Sequence, residues 1–194
     1  MNRRVAVLAA LLSSAMAGPA LAQQAHRPGW WAEAAGGYGY LRVGNASNEV
    51  QRATGTSWYF RVGHQLAHNV SLGLEATTLR TSGDTANAYV NGLLGIVVFN
   101  PWSHLPLFFH GGLGLSDGKV VVSIPTNQKF QAQGTGVGLT FGAAYDIRVG
   151  RNFAISPSVQ THISALGDFH FSPTQIADDV IGTSYQVGVG ITWR

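Results

Sequence analysis

The two side chains best placed to do chemistry together are Arg61 and Glu75, which flank a short turn at 67–69. If the flanking segments pair as an antiparallel hairpin with Leu66 opposite Val70, then Arg61 lies directly opposite Glu75. Side chains alternate along a strand, so both project from the same face. A charge held away from water is costly unless an opposite charge accompanies it. The sequence therefore predicts Arg61 and Glu75 as an interior charge pair.

A second stretch with chemical potential is His162-Ile163-Ser164, in which a base and a nucleophile are two residues apart. In serine hydrolases a histidine accepts the serine proton, and a carboxylate orients the histidine. Asp168, Asp178 or Asp179 could supply that carboxylate. This arrangement suggests a hydrolase as an alternative function.

The pattern around this stretch argues against the hydrolase. Its apolar residues occupy every second position, which places His162 and Ser164 on the opposite face of the strand, where a substrate on the apolar side could not reach them. A bulge near Pro157 would reverse this orientation, because proline disrupts the hydrogen-bond ladder. Side-chain orientation along 153–164 therefore decides the question. The apolar residues are Phe153, Ile155, Val159 and Ile163.

The first 22 of the 194 residues have the features of a secretory signal peptide. Arg3 and Arg4 precede an apolar run that is too short to span a bilayer, and Ala20-Leu21-Ala22 forms a small-x-small cleavage site. We expect one mature domain over 23–194. This domain contains ten Lys and Arg residues and nine Asp and Glu residues. Its net charge is therefore about +1, which does not indicate a nucleic-acid surface.

Several classes of site are not indicated. The chain has no cysteine, and its other histidines lack the spacing of metal ligands, so we predict no disulfide, no metal site and no cofactor. Its glycine-rich stretches alternate within predicted strands and open no helix, so they do not form a nucleotide-binding loop.

Alternating segments recur along the whole mature chain and predict eight strands. No apolar run of about 18 residues follows the leader, which excludes a helical membrane protein. An even number of alternating strands is what a closed antiparallel outer-membrane barrel requires. The segments are 30–42, 57–66, 70–79, 88–99, 105–116, 134–147, 152–164 and 184–194.

The connections between these segments alternate in length. Short turns follow the second, fourth and sixth segments, and longer polar loops are expected at 43–56, 80–87, 117–133 and 165–183. Short periplasmic turns and long extracellular loops are typical of outer-membrane barrels. Apolar and polar residues alternate again at 116–128, so the fifth and sixth strands could project beyond the membrane as a hairpin.

The final segment, SYQVGVGITWR, shows which face is predicted to meet lipid. One parity is apolar and the other holds glycine and small polar residues. In a narrow barrel the apolar parity faces hydrocarbon and small residues face inward, leaving room for Arg61, Glu75 and Tyr59. Glu33, His110 and Asp146 share the inward parity. The small inward residues are Gly73, Gly112, Gly114, Gly138, Gly142, Gly188 and Gly190.

Aromatic residues occur where the membrane interfaces are expected. Trp30 and Trp193 are placed at the periplasmic ends of their strands. Tyr38, Tyr40, Trp58 and Tyr185 are placed toward the loop ends.

Together these features resemble the eight-stranded outer-membrane barrel domains of the OmpA, OmpX and opacity-protein type. The sequence LPLFFHGGLGLS at 105–116 is similar to the fifth strand of that family. The terminal stretch matches the family's assembly signal at Gln186, Gly188, Ile191 and Trp193, although Arg194 follows the aromatic residue that usually ends such chains. The resemblance implies insertion by the outer-membrane assembly machinery.

The resemblance also bears on the candidate residues. In this family interior ion pairs act as plugs and have been proposed as gates, which implies one of these roles for Arg61 and Glu75. His162-Ile163-Ser164 loosely resembles the His-x-Ser of outer-membrane lipid A deacylases, with Ala165 where that motif has asparagine.

From the sequence we expect a monomeric, all-β, eight-stranded antiparallel up-and-down barrel in the outer membrane of a Gram-negative bacterium. Outer-membrane lipids, including lipopolysaccharide, would surround it. Its expected role is structural or surface interaction, such as envelope integrity or adhesion, with an extracellular protein bound through the loops. A lipid A deacylase and a narrow gated channel are the alternatives.

Overall fold

The computed structural model describes residues 29–44, 51–82, 86–102, 104–123, 129–167, 169–171, 174–177 and 180–194. The predicted signal peptide lies outside these ranges. So do Asp168, Asp178 and Asp179, the carboxylates suggested for the hydrolase.

Eight long strands account for most of the described chain. They form because apolar and polar or small residues alternate in each segment, and this pattern suits a sheet with two different faces. The long strands are β1 Trp30–Gly44, β2 Gln51–Ala67, β3 Val70–Ser82, β4 Ala86–Phe99, β5 Leu107–Ser123, β6 Lys129–Tyr145, β8 Phe153–Ala165 and β11 Ile181–Trp193. The short strands are β7 Ile147–Arg148, β9 Phe169–Phe171 and β10 Thr174–Ala177.

The long strands close into a barrel in which every pairing is antiparallel. Each of β1 to β5 pairs with the next strand, β1 also pairs with β11, and β11 pairs with β8. The pairing of β8 with β6 closes the ring. The predicted fold is therefore confirmed. No described segment is a helix long and apolar enough to cross a membrane.

The barrel is staggered, and the register shows by how much. Val137 on β6 pairs with Ala165 on β8, and a row of paired residues can be followed around the barrel in both directions from this pair. Through β11 the row reaches β1 at Gly44. Through β5, β4, β3 and β2 it reaches β1 at Ala34. These positions are 44 − 34 = 10 residues apart. A row perpendicular to the strands thus climbs as it passes from β1 toward β6, as a barrel with tilted strands requires.

The two faces of the sheet divide as the sequence predicts. Leu74 is 57 % exposed, and the apolar residues of β11 (Val187, Val189 and Ile191) are similarly exposed on the outer surface. Their neighbours Glu75, Gln186 and Thr192 are buried inside. An outward band of apolar side chains around a buried polar interior is the arrangement of a barrel in lipid.

Several predicted boundaries are wrong. The strands extend well into the expected loops. In the β5–β6 hairpin, pairing continues to Ser123 and Lys129, as the alternation at 116–128 indicated. The stretch at 165–183 contains β9 and β10, and Asp146 separates β6 from β7. Because the strands are longer, the connections at the loop end of the barrel are shorter than predicted. Antiparallel pairing can continue beyond a membrane for as long as residues alternate, so no boundary marks the membrane surface in the sequence.

The register beside the turn at 68–69 also differs slightly from the prediction. Ala67, and not Leu66, pairs with Val70, because a bulge separates Gln65 and Ala67. Beyond the bulge the predicted register holds, and Arg61 pairs with Glu75. A bulge beside a turn shifts one position and leaves the rest of the ladder unchanged.

The face assignment predicts the effect of Leu74→Lys. Leu74 is on the lipid-facing surface near mid-height, so a charge there should reduce the free energy of unfolding by about 2–4 kcal/mol. Reversible refolding into lipid vesicles measures this change. Thr56→Lys, on the same surface near the loop end, is the matched control and should cost only about 0–1 kcal/mol. Equal costs for the two substitutions would contradict the assignment.

Candidate functional site

Arg61 is at the centre of a polar cluster that fills the middle of the barrel. Its side chain is 2 % exposed. Arg61 Nε donates to Glu75 Oε2 at 2.6 Å, and Nη1 donates to Glu33 Oε2 at 3.2 Å. Nη2 lies 2.8 Å from His110 Nε2 and also donates to the side-chain oxygen of Gln160. One guanidinium group thereby connects five strands, since its donors form a rigid planar fork.

Tyr59 supports the same cluster from the side. Its hydroxyl donates to Glu33 Oε1 at 2.7 Å and lies 2.9 Å from Ser158 Oγ. The Arg61 guanidinium carbon is 3.9 Å from the centre of the Tyr59 ring, a cation–π contact. Gln160 extends the cluster toward β11 by donating to Gln186 Oε1 at 3.0 Å. These contacts favour a single rigid arrangement of the interior.

Apolar side chains pack within the barrel above and below this cluster. On the turn side, Trp31, Leu94 and Ile96 form a buried group. On the loop side, Leu41, Leu79 and Val90 form another. These residues fill the lumen on both sides of the polar cluster.

The turn end opens into a cavity of about 580 Å³. Arg61 and Glu33 lie at its inner end, and Arg148, Arg151 and Arg194 lie near its mouth. Arg194 Nη2 donates to Asp146 Oδ2 at 2.8 Å, and the Arg194 guanidinium lies over the Phe108 ring. Burial raises the pKa of Asp146, whereas the Arg194 charge and the Ser156 hydroxyl act in the opposite direction.

His162 and Ser164 both face the interior. His162 is 1 % exposed, and β8 keeps one register with β11 past Pro157, so no bulge reverses its parity. Ser116 Oγ is 3.2 Å from His162 Nε2 and 2.8 Å from Ser164 Oγ. His162 Nδ1 has no hydrogen-bond partner in the described part of the chain. These residues therefore form a buried polar contact, and no carboxylate of the described residues is hydrogen-bonded to the histidine.

Two glycines create the space for the His162 ring. A Cβ atom at Gly92 would lie 2.8 Å from His162 Cε1, and one at Gly138 would lie 2.9 Å from the same atom. Real Cβ atoms do not approach that closely, so a side chain at either position would displace the ring. The surrounding packing holds His162 inside the barrel.

The residues predicted as an assembly signal divide between the two faces. Gln186 is buried and joins the central cluster, and Gly188 packs closely against the backbone of β1. Ile191 and Trp193 are exposed on the outer surface. The structure places both pairs as the alternation requires. The signal itself stays a prediction.

The aromatic residues predicted at the interfaces all lie on the outward parity. Trp30 packs edge-on against His64 near the turn end, and Tyr40 lies beside Tyr185 toward the loop end. Tyr38, Trp58 and Trp193 are also exposed to the outside.

Sequence reasoning missed several interior residues. Gln160 shares the parity of His162, and Trp31 shares that of Glu33, so alternation could have identified both as inward. Ser116 was assigned to the end of the fifth strand, although that strand continues past it. The contact of Gln160 with Arg61 and that of Ser116 with His162 could not be predicted, because they join strands that are distant in the sequence.

Comparison with known proteins agrees with this architecture. A family model described as outer membrane protein β-barrel domain matches residues 7–192. A comparison with curated protein sequences gave no match.

Solved structures of outer-membrane barrels are similar in fold. The attachment invasion locus protein Ail of Yersinia pestis, in complex with the heparin analogue sucrose octasulfate, has a TM-score of 0.62 and 15% identity over 85% of this chain and 99% of that chain. Neisserial surface protein A has a TM-score of 0.54 and 15% identity over 84% of this chain and 96% of that chain.

The central cluster predicts that Arg61→Met is strongly destabilising. The substitution leaves the Glu33 and Glu75 carboxylates buried beside each other without a cation, which should cost about 3–5 kcal/mol. The midpoint of unfolding in denaturant, measured in detergent micelles, reports the change. Combining Arg61→Met with Glu75→Gln should cost less than Arg61→Met alone, because one uncompensated charge is removed.

Arg148→Met is the control for this experiment, since it removes an exposed arginine from the turn end and should change stability by less than about 0.5 kcal/mol. If Arg61→Met and Arg148→Met had the same effect, the central ion pairs would not contribute to the fold.

Proposed function

The chain belongs to the outer membrane protein β-barrel domain family and lies in the bacterial outer membrane, and on this premise we propose that it is a structural and surface-interaction protein. In this proposal the barrel is a closed support that displays its extracellular hairpin and loops. The observation that carries the proposal is the length of β5 and β6, from which we infer that this hairpin projects beyond the membrane.

The length of β5 and β6 supports this role. Each strand has 17 residues, whereas a strand that crosses the membrane needs about 9–11. The additional residues are at the loop end, where long connections lie outside the cell. At about 3.4 Å per residue, the hairpin extends roughly 20 Å beyond the hydrocarbon.

The outer part of β6 also offers an edge for a partner. β8 pairs with β6 only between Val137 and Ala144. Farther out, the described part of the chain shows one pairing to this edge, between Gln133 and His170 of β9. A partially covered edge can accept an extended segment from another protein by strand addition.

The interior supports a structural role for the barrel itself. Arg61 and its partners are fully buried, and apolar groups pack on both sides of them. This interior favours a plug over a gate, because apolar side chains fill the lumen on the loop side, and a movement of Arg61 into the cavity at the turn end would leave them in place. The burial of His162 and Ser164 likewise argues against the deacylase, since lipid A would lie on the opposite side of the sheet.

The hairpin is tested by shortening it. Residues 121–131 are replaced by Asn-Gly, which favours a tight turn between paired strands. Adhesion to epithelial monolayers is compared for bacteria lacking the protein, producing the full chain or producing the shortened chain. We expect the full chain to raise adhesion and the shortened chain to raise it about 10-fold less, the loss of about 1.4 kcal/mol of contact.

The shift in electrophoretic mobility on heating checks that the shortened barrel still folds. If all three strains adhered equally, the surface-interaction role would be wrong. A Gln175→Ala variant, in β10 and outside the shortened segment, controls for nonspecific changes at the surface.

The plugged lumen predicts low conductance. The purified full chain in planar bilayers should give no discrete current steps, and Glu75→Gln should leave the recordings unchanged. An outer-membrane porin recorded in the same apparatus is the positive control. Current steps whose size changes in Glu75→Gln would instead favour the gated channel.

A further inference from the structure

Basic side chains on the outward face of the barrel are concentrated near the loop end. Arg42, Arg52 and Arg80 are exposed, and Lys119 is half-buried on the same outward parity. The other described arginines are Arg61 inside the barrel and three residues at the turn end, Arg148, Arg151 and Arg194. The first four residues, which we call the basic belt, lie on β1, β2, β3 and β5.

The register brings the belt to one level. Arg42 pairs with Arg52. Arg80, Tyr89 and Lys119 form a second row on β3, β4 and β5, which meets β2 at Thr56, four residues below Arg52. A shift of four residues lowers this row by ~10 Å in strands tilted about 40°.

The stagger of the barrel compensates for this shift. A row climbs from β1 toward β6, by ~3 Å for each strand at a spacing of about 4.8 Å and a tilt of about 40°. Arg80 is therefore ~4 Å below Arg42 and Lys119 is ~2 Å above it, by the same geometry. Four cations from separate strands thus share a narrow band around one side of the barrel.

The belt lies directly above the aromatic residues of the outer interface. Tyr38, Tyr40 and Trp58 are on the same outward parity, nearer the middle of the membrane. Arg80 lies over the Tyr89 ring, with its guanidinium carbon 5.2 Å from the ring centre. Tyrosine and tryptophan occupy the headgroup level of a bilayer, so cations just above them meet lipid headgroups.

The belt covers only part of the circumference. At the same level, β6, β8 and β11 present uncharged outward residues, namely Thr135, Val137, Ile163, Ala165, Ile181 and Thr183. Asp117 is the one acidic side chain on the outward face of the described strands, and Asn91 Nδ2 donates to its Oδ2 at 2.9 Å. Asp117 is on β5, two residues from Lys119, so the belt keeps an excess of positive charge. Among the described strands, outward positive charge at this level is therefore concentrated on one side of the barrel.

We propose that the basic belt binds the phosphate groups of an anionic lipid in the outer leaflet of the membrane. Arginine matches phosphate oxygens with paired, charge-assisted hydrogen bonds. The acyl chains of the same lipid would lie against the exposed apolar surface below, which includes Leu93 and Leu115. The site is on the barrel wall, apart from the projecting hairpin, so it does not depend on the proposed surface interaction.

Native mass spectrometry of the refolded full chain in detergent tests this site. The probes are bis-phosphorylated lipid A and the same lipid after enzymatic removal of its phosphates. We expect the phosphorylated lipid to bind with clear preference. The variant Arg42→Gln, Arg52→Gln, Arg80→Gln should lower its affinity about 5-fold for each arginine removed.

The control variant Arg148→Gln, Arg151→Gln removes exposed arginines from the turn end and should bind the lipid as the unmodified chain does. The shift in electrophoretic mobility on heating confirms that every variant is folded. Equal binding of the two lipids, or equal loss in the belt and control variants, would overturn the site. Competition by millimolar inorganic phosphate as strong as that by the lipid would also overturn it, because it would indicate a site for free phosphate.

Discussion

The constraint on which this structure depends is that a backbone in hydrocarbon must pair all of its own N–H and C=O groups. A sheet meets this requirement only by closing on itself, because an open edge would leave a row of unpaired groups in lipid. The pairing of β8 with β6 completes the closure here. Once the sheet is closed, one face of every strand meets lipid and the other lines a narrow lumen, so the alternation of residue types follows from the closure.

The narrow lumen in turn determines what its side chains can do. Eight strands leave room for side chains but not for a wide aqueous channel. Arg61 is stable there because Glu33 and Glu75 surround it, and glycines beside His162 make room for its ring. Interior groups that would suggest chemistry in a soluble enzyme thus hold strands together. The parts of this protein that other molecules can reach are its outer surface, the loop end and the cavity at the turn end.

Sequence reasoning succeeded where an interaction is local or periodic. Arg61 and Glu75 could be placed opposite each other because a short turn joins their strands, and the bulge beside Leu66 shifted only the adjacent pair. The inward orientation of His162 followed from the apolar residues that alternate with it. The alternation at 116–128 indicated that the fifth and sixth strands could continue as a hairpin, but the residues at which β5 and β6 end could not be predicted, since pairing outside the membrane needs no lipid.

The sequence by itself determined which residues face lipid and which face the lumen, because a strand has a period of two and only one parity of each segment is apolar. The tertiary structure decided which residues share a level. Gln160 reaches Arg61, and Arg42 comes level with Lys119, only because the closed sheet is staggered by ten residues. The stagger depends on how distant strands pair, and no local pattern in the chain specifies it.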